Sequence, residues 1–487
     1  MFKNINCKNL PSLRRNIVYQ FLYELLIVFI PLFTIPYVSR VLGAENIGLF
    51  SYTYAVANYF VLFANLGIKN YGSRTIAMVR NNKEELNRNF SEILSIHIIF
   101  SIIVIFVYLV LLFFFVEDNL VIFLIQSIYV FAAVFDINWF FFGIEKFKLT
   151  VGRNILVKIL SVFLVLVFVK TQTDLWIYAL ILALSVFVGQ SVVWFALKQY
   201  VSWRRPSWAN MKQHIRPLFV LFLPILALSL YKYMDKIMLG SISSNVQVGF
   251  YENAEKIINV PMSLIMAFGV VLMPRIANMV TSKDKGEVFK LIDMSMEAVM
   301  LLAIAISFGL AGISFVLAPI FFGYEFEECG ILIMGLAVTV PFMAFANVIR
   351  TQYLIPYKED KIFVVSLFLG AAVNLIVNII LIPYMAARGA VIGTIFAEII
   401  VCIYQSYFVR KKIFIKKYLL NTIPPILIGI VMFVFVFQIG NVMNINIVTL
   451  ILQLLVGMFI YAVGVFLLML KSRTRLMVLL RKFVVRY

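Results

Sequence analysis

Apolar residues run in long blocks along this chain, separated by short polar stretches that are rich in Lys and Arg. About 20 consecutive apolar residues cross the hydrocarbon core of a bilayer as a helix. On that ruler the chain divides into about fourteen segments. They lie over 17–38, 47–66, 93–115, 120–142, 155–170, 175–197, 217–239, 250–273, 294–318, 328–354, 362–382, 390–409, 420–438 and 447–470. The fifth is short enough to tilt little or to begin earlier. The first follows Lys8, Arg14 and Arg15 as a signal peptide would. It then runs for about 22 residues with no small-residue cleavage site, so it reads as a retained span.

Composition agrees with the pattern. The 487 residues are 63% hydrophobic and 13% charged, against about 45–50% and about 25% in a soluble domain. Too few polar residues are present to cover a water-soluble globule. The expected fold is therefore all-α, a polytopic membrane protein of about fourteen transmembrane helices. Lys and Arg total 42 against 23 Asp and Glu, a net charge of +19. Most of those bases fall in alternate loops, while the intervening loops hold only Arg40 and Arg388, with Lys170 at an edge. Such asymmetry is the positive-inside signature, so the charge reads as topology and not as nucleic-acid binding. An even span count then puts both termini in the cytoplasm. Every loop is short, which leaves no room for an extracellular catalytic domain and places the work within the bilayer.

One internal repeat is visible. Arg40-Val41-Leu42-Gly43, Ile47-Gly48-Leu49-Phe50 and Leu66-Gly67 in the first hairpin are echoed further on. There the chain reads Lys236-Ile237-Met238-Leu239-Gly240, Val248-Gly249-Phe250-Tyr251 and Phe268-Gly269. Both copies start from the same side, so the repeat is six spans long and parallel, about an axis along the membrane normal. The expected organisation is two pseudo-symmetric six-helix lobes, 1–205 and 206–415, followed by two more helices and a basic tail over 416–487.

Several of these stretches resemble the polysaccharide repeat-unit flippases (Wzx-like) of the multidrug/oligosaccharidyl-lipid/polysaccharide exporter superfamily. Pro36-Tyr37-Val38-Ser39-Arg40-Val41-Leu42-Gly43 and Leu66-Gly67-Ile68-Lys69-Asn70-Tyr71-Gly72 carry most of the likeness. Val248–Tyr251, Met273-Pro274-Arg275, Asn374-Leu375-Ile376-Val377-Asn378 with Leu381-Ile382-Pro383, and Gly389–Thr394 follow the same pattern. The resemblance implies two helical lobes that move a polyprenyl-diphosphate-linked oligosaccharide from the inner to the outer leaflet of a bacterial plasma membrane. It also implies membrane lipids and polysaccharide polymerase machinery as partners, and surface polysaccharide of the capsule or O-antigen type as the product. The physics is compatible, because each unpaired hydroxyl costs roughly 4–8 kcal/mol in hydrocarbon, and a polar cavity open alternately to each side removes most of that barrier.

Charges inside spans require an explanation, since each costs about 2.5–3.5 kcal/mol at the bilayer centre on insertion scales. Lys232, Asp235 and Lys236 stand at helical spacing on one face, and Glu252, Glu255 and Lys256 repeat that spacing on the next span. They read either as a charged gate meeting the diphosphate or as a static ion-pair cluster. Arg350 and Lys158 lie near the inner surface, where they can contact diphosphate or snorkel to the headgroups. Arg favours phosphate because its fork binds two oxygens at once. Glu24 and Asp136 can take a coupling ion or pair with a base. Asn374 and Asn378 share a face and can contact sugar or join helices.

Other classes leave fewer traces. The chain has no G-x-x-x-x-G-K-[ST], D-x-D, H-E-x-x-H or G-x-S-x-G motif. Cys7, Cys329 and Cys402 stand far apart and only His97 and His214 are present. No metal, cofactor or catalytic group is therefore expected. The alternatives are a drug/cation antiporter of the same superfamily and, less well supported by the short outer loops, a membrane polysaccharide polymerase.

Overall fold

A computed structural model describes the backbone of residues 10–281 and 285–471. The side chains of residues 10–29, Glu24 among them, and the basic tail over 472–487 lie outside the described residues. Helix follows helix throughout. They are α1 (Leu10–Asn65), α2 (Ile68–Val79), α3 (Lys83–Phe115), α4 (Leu120–Val134), α5 (Asn138–Gly143), α6 (Phe147–Phe168), α7 (Leu175–Leu197) and α8 (Trp208–Ile242). The chain continues with α9 (Asn245–Thr281), α10 (Lys285–Phe322), α11 (Cys329–Ala337), α12 (Thr339–Ile349), α13 (Asp360–Met385), α14 (Ala387–Val409), α15 (Ile415–Val442) and α16 (Ile447–Lys471).

Thirteen stretches among the described residues are long and apolar enough to cross a membrane. Fourteen were expected, and the first of the thirteen, Leu32–Val79, takes in the second expected span with part of the first. Gly43 lies between them at φ 75°, ψ 172°, a non-helical geometry, so α1 consists of two helices that meet there. Two other spans are interrupted. The fourth divides into α4 and α5 because the Asp136 carboxylate accepts from the Asn138 backbone N–H at 3.0 Å, a local side-chain bond that competes with the helix ladder. The tenth divides into α11, α12 and a π-helical turn over Arg350–Leu354. The fifth starts at Phe147, well before 155. Large apolar side chains stand exposed on the outer faces, including Phe113, Phe195, Leu427 and Phe459. Such a surface suits hydrocarbon and not water. This is a multi-pass membrane protein.

The chain forms two compact units, Met1–Ser229 and Leu230–Tyr487, divided within α8. In the first, Leu66, Ile68, Phe90, Trp139, Phe140 and Leu218 form one core. Gly67, at φ 72°, closes the second span where a Cβ would stand 2.9 Å from the Leu218 carbonyl oxygen. The segment before α8 is stitched to the start of α3. Ser202 and Arg204 donate backbone N–H groups to Asn87 Oδ1 and Ser91 Oγ, each at 3.0 Å. One turn into α8, His214 bridges Glu92 (2.9 Å) and the Tyr71 hydroxyl (2.6 Å).

In the second unit α15 packs on α10, with Gly312 against Val436 and Gly429 against Phe308. The α13–α14 hairpin turns at Ala386, φ 47°. It closes tightly because Gly389 meets the Leu381 backbone and Gly393 meets the Asn378 side chain. Gly269 does not repeat the role of Gly67. It lies inside α9, which continues to Thr281, and its missing side chain lets Thr351 Oγ1 and Asn347 Nδ2 approach.

Candidate functional site

The second unit contains the densest set of buried polar groups among the expected residues. Asp235 and Lys236 are adjacent on α8 and almost fully buried, at 3% and 6% exposure. Adjacent helical residues point about 100° apart, so the two serve different neighbours. Lys236 Nζ lies between Glu252 Oε2 (2.5 Å) and Glu255 Oε2 (2.8 Å) of α9. Lys256 Nζ reaches Glu252 Oε1 at 3.1 Å. Two bases therefore balance two acids, the static ion-pair arrangement. It joins α8 to α9 just inside their connecting turn.

Asp235 has a different environment. Tyr251 donates its hydroxyl to Asp235 Oδ2 at 2.5 Å, and Thr394 of α14 donates to the same oxygen at 2.9 Å. Asn378 of α13 donates Nδ2 to Oδ1 at 2.5 Å and stands 3.2 Å from Asn374 Oδ1. All three donors are neutral. The Asn378 amide oxygen is buried with no hydrogen-bond partner. Asp235 thus gathers Asn374 and Asn378 about one carboxyl group, with a further oxygen uncommitted beside it.

Lys232 departs from the expected common face. It is exposed, with Nζ 5.4 Å from the Tyr233 ring centroid. Helical spacing put it beside Asp235 and Lys236, but a long ammonium side chain gains more by keeping its charge in a polar medium.

Arg350 opens the π turn at the far end of α12. One guanidinium nitrogen donates to Asn347 Oδ1 at 2.7 Å, and the group lies 5.4 Å from the centroid of Phe363 on α13. Glu398 of α14 is close enough to act on its charge. Glu398 lies one turn along α14 from Thr394, and Asn374 one turn along α13 from Asn378. Polar side chains thus gather at two levels of this unit, about Asp235 and about Arg350, and between Asn374 and Phe363 α13 carries only Ser366 as a polar residue. From Asn378 to Phe363 is about 22 Å of helix, most of the roughly 30 Å hydrocarbon thickness.

The remaining expected residues stand in the first unit. Asp136 spends its carboxylate on Asn138 (2.7 Å to Nδ2) at the α4–α5 break and does not pair with Lys158 or Arg350 in the described contacts. Arg153 is the base near it, donating to Asn138 Oδ1 at 3.1 Å and to the Gly189 carbonyl at 2.7 Å. Counting Arg153 among the loop bases missed this, because α6 begins earlier than its apolar run. Lys158 is exposed on α6. Glu24 lies among the side chains outside the description.

Tyr251 and Thr394 were not singled out as site residues, although both fell inside quoted stretches. Neither carries a charge, and only the assembled helices bring them to Asp235. Glu92 and His214 likewise gave no local signal, standing far apart in sequence. Among the described residues no group of His, Cys, Asp and Glu could hold a metal ion.

Comparison with known proteins adds an independent finding. Residues 13–280 match the family model described as polysaccharide biosynthesis protein. The chain is 26% identical over 411 residues to the Escherichia coli (strain K12) protein named "Putative O-antigen transporter", covering 83% of this chain and 98% of that one. It is 28% identical over 224 residues to the lipid II flippase MurJ of Bacillus subtilis (strain 168), covering 42% and 41% of the two chains. Among solved structures, a lipid II flippase MurJ in an inward closed conformation superposes with a TM-score of 0.71 at 16% identity. That match covers 92% of this chain and 97% of the other. An inward-facing multidrug-resistance MATE family transporter gives 0.64 at 15% identity, over 80% and 97%.

Proposed function

The chain belongs to the polysaccharide biosynthesis protein family, and from that premise we propose that it is a flippase for lipid-diphosphate-linked oligosaccharide repeat units. It carries them from the cytoplasmic to the outer leaflet of the bacterial plasma membrane by alternating access, for surface polysaccharide of the capsule or O-antigen type. Its termini lie in the cytoplasm, and polymerase machinery receives the product. The observation that carries the reading is a pair of polar clusters inside an apolar unit, one of Asp235 with the Asn374–Asn378 pair and one of Arg350 with Asn347. A relative named for O-antigen transport matches over nearly its whole length, which supports the same substrate class.

In this proposal Arg350 offers its fork to the diphosphate, since a planar guanidinium binds two phosphate oxygens together. Exposed Lys232 and Lys158 add cationic attraction. Asn374 and Asn378 present amides of the kind that pair with sugar hydroxyls. Asp235 takes the coupling ion, a proton or a monovalent cation, because only neutral donors face its charge. Lys236, Glu252, Glu255 and Lys256 brace the gate without net charge, and Glu24 and Asp136 are further acids for ion coupling.

The deciding experiment is deletion in the host, followed by analysis of lipid-linked saccharides on each membrane face. Complete single repeat units should collect on the cytoplasmic side. Single units collecting outside would indicate a polymerase, and normal glycolipids with normal polysaccharide would indicate the antiporter. The antiporter keeps a place because of the fold shared with the multidrug transporter. At the site itself, Arg350→Ala should reduce export by about 10-fold or more, as expected when a charged hydrogen-bonding partner is lost. Membrane abundance should stay normal, and unchanged export at native expression would remove Arg350 from the site.

A further inference from the structure

Three elements of the first unit meet at a buried carboxylate that has no part in the proposed transport path. Glu92 of α3 and His214 of α8 are only 1% and 2% exposed. His214 Nε2 stands 2.9 Å from Glu92 Oε2, and Nδ1 stands 2.6 Å from the Tyr71 hydroxyl of α2. Asn210, one turn before His214, donates Nδ2 to Glu92 Oε1 at 3.1 Å. Tyr71 is half-buried, with the Thr75 hydroxyl as its other neighbour. Among the described residues His214 is the one base within ion-pair distance of Glu92. The remaining bases at this end of α2, α3 and α8 are Lys69, Arg74, Lys83, Arg88, Lys212 and Arg216, and all are exposed. Glu84 and Glu85 lie two turns nearer the start of α3, where Glu84 pairs with Arg204 at 3.2 Å. From α1, α5 and α7 the surrounding core receives apolar side chains such as Leu66, Trp139 and Val193.

An ionised carboxylate only accepts hydrogen bonds, so Nε2 carries a proton and donates to Glu92. Nδ1 is then the atom at which the imidazole gains or loses its second proton. With Nδ1 bare, the Tyr71 hydroxyl donates to it, and the buried carboxylate has neutral donors alone. With Nδ1 protonated, the imidazolium cancels the carboxylate charge, and a buried charge left unbalanced is costly. Tyr71 follows the change by turning its O–H toward Thr75 while its oxygen accepts from Nδ1–H. The chain therefore takes a proton from the adjoining water without losing a contact of His214 and without breaking the O–H bond of Tyr71.

We infer that Glu92 and His214 form a binding site for one exchangeable proton, held as an imidazolium, and that this proton latches the start of α8 to α3. The segment before α8 is already fastened to α3 through the backbone N–H groups of Ser202 and Arg204, and the latch extends that seam into the helix. α8 also bears Asp235 and Lys236 in the second unit, so the proton fixes the beginning of the helix that carries those buried charges. The protonated form is the one that strengthens the contact. The latch is therefore present at lower pH and weakens as pH rises and the proton leaves. The site does not depend on what the protein transports, since none of these residues belongs to the proposed path.

The test uses the full chain in lipid bilayers, with isotope-labelled histidine ring nitrogens read by solid-state NMR. Only His97 and His214 contribute, and the signal lost in His214→Gln identifies the second. Near neutral pH both ring nitrogens of His214 should bear protons, and Nδ1 should lose its proton as pH is raised. Glu92→Gln removes the counter-charge, so His214 should then be singly protonated at neutral pH. A bare ring nitrogen in the wild-type chain at neutral pH overturns the proposal whether or not a variant folds. A doubly protonated ring that never titrates overturns it as well. Hydrogen exchange reads the latch. Below the titration step, amides of residues 202–214 should exchange about 10-fold or more faster in Glu92→Gln than in the wild type, the span of one charge-assisted hydrogen bond. Above the step the difference should vanish. His214→Gln offers Glu92 an amide with no titratable proton, so it should behave alike and decides the matter if Glu92→Gln does not fold. A difference of equal size on both sides of the step marks an ordinary structural contact and overturns the latch.

Discussion

Two neighbouring buried charges in this protein are accommodated by different means. Lys236 is met by two carboxylates at ion-pair distance, and Asp235 by three neutral donors. Removing both carboxylates with Glu252→Gln and Glu255→Gln leaves a buried ammonium without a counter-charge, a change that costs about 3–5 kcal/mol. A thermal-denaturation midpoint in detergent should fall clearly, and adding Lys236→Met should restore most of it. Asp235→Asn is expected to act otherwise. The amide keeps an acceptor for Tyr251 and Thr394 and loses the charge, and the Asn378 amide can turn its unpartnered oxygen to the new NH2, so the fold should hold while ion-driven transport in reconstituted vesicles fails. Transport at wild-type rate under the same ion gradient would remove Asp235 from coupling. Sequence periodicity exposed the charges but not this division, because it ranks residues by face. Whether a carboxylate finds a cation or a hydroxyl depends on Tyr251 and Thr394, which come from other helices. The same limit hid the Glu92–His214–Tyr71 chain, whose members lie far apart in sequence and meet only when α2, α3 and α8 have packed.

At the level of elements, glycine decides how closely helices can approach. Gly393 stands against the amide oxygen of Asn378, whose Nδ2 binds Asp235, so any side chain there collides with that amide and presses on the Asp235 contact. Gly393→Ala should therefore destabilise by about 1–3 kcal/mol, the cost of overpacking, and should disturb transport through the same contact. Gly152 offers a matched control, because a Cβ there meets nothing within 4 Å. At that position Ala should be neutral or stabilising by up to about 1 kcal/mol, from helix propensity alone. Thermal midpoints of the two single variants in one detergent check both expectations. Element positions were readable from apolar runs because hydrocarbon permits little but helix at that length. Breaks within the runs were not. The α4–α5 interruption depends on one carboxylate bonding its own backbone two residues on. The π turn at Arg350 sits where Thr351 and Asn347 face Gly269 of another helix.

For the whole molecule, the strongest constraint read from sequence is the sign of charge loop by loop. Only Arg40 and Arg388, with Lys170 at an edge, break the rule that bases occupy alternate loops. Transferring many Lys and Arg side chains across the bilayer is costly, so this pattern predicts an orientation as well as a span number. It also forces a division at Gly43. If the kinked helix crossed only once, every later loop would change sides and the basic loops would lie outside. Single cysteines in a background lacking Cys7, Cys329 and Cys402 test this with a membrane-impermeant thiol reagent on intact cells. Cysteine at exposed Asn119, Thr173, Ser244 and Asn444 should label from outside. Cysteine at Asn82, Lys146, Arg204, Lys358 and Lys411 should label only after the membrane is opened. Labelling of Asn82 and Asn119 from the same side would show that α3 does not span. Complete reversal would put the termini outside and require the transport direction to be reconsidered, since a diphosphate-linked sugar made in the cytoplasm would then first meet Asp235 and only later Arg350.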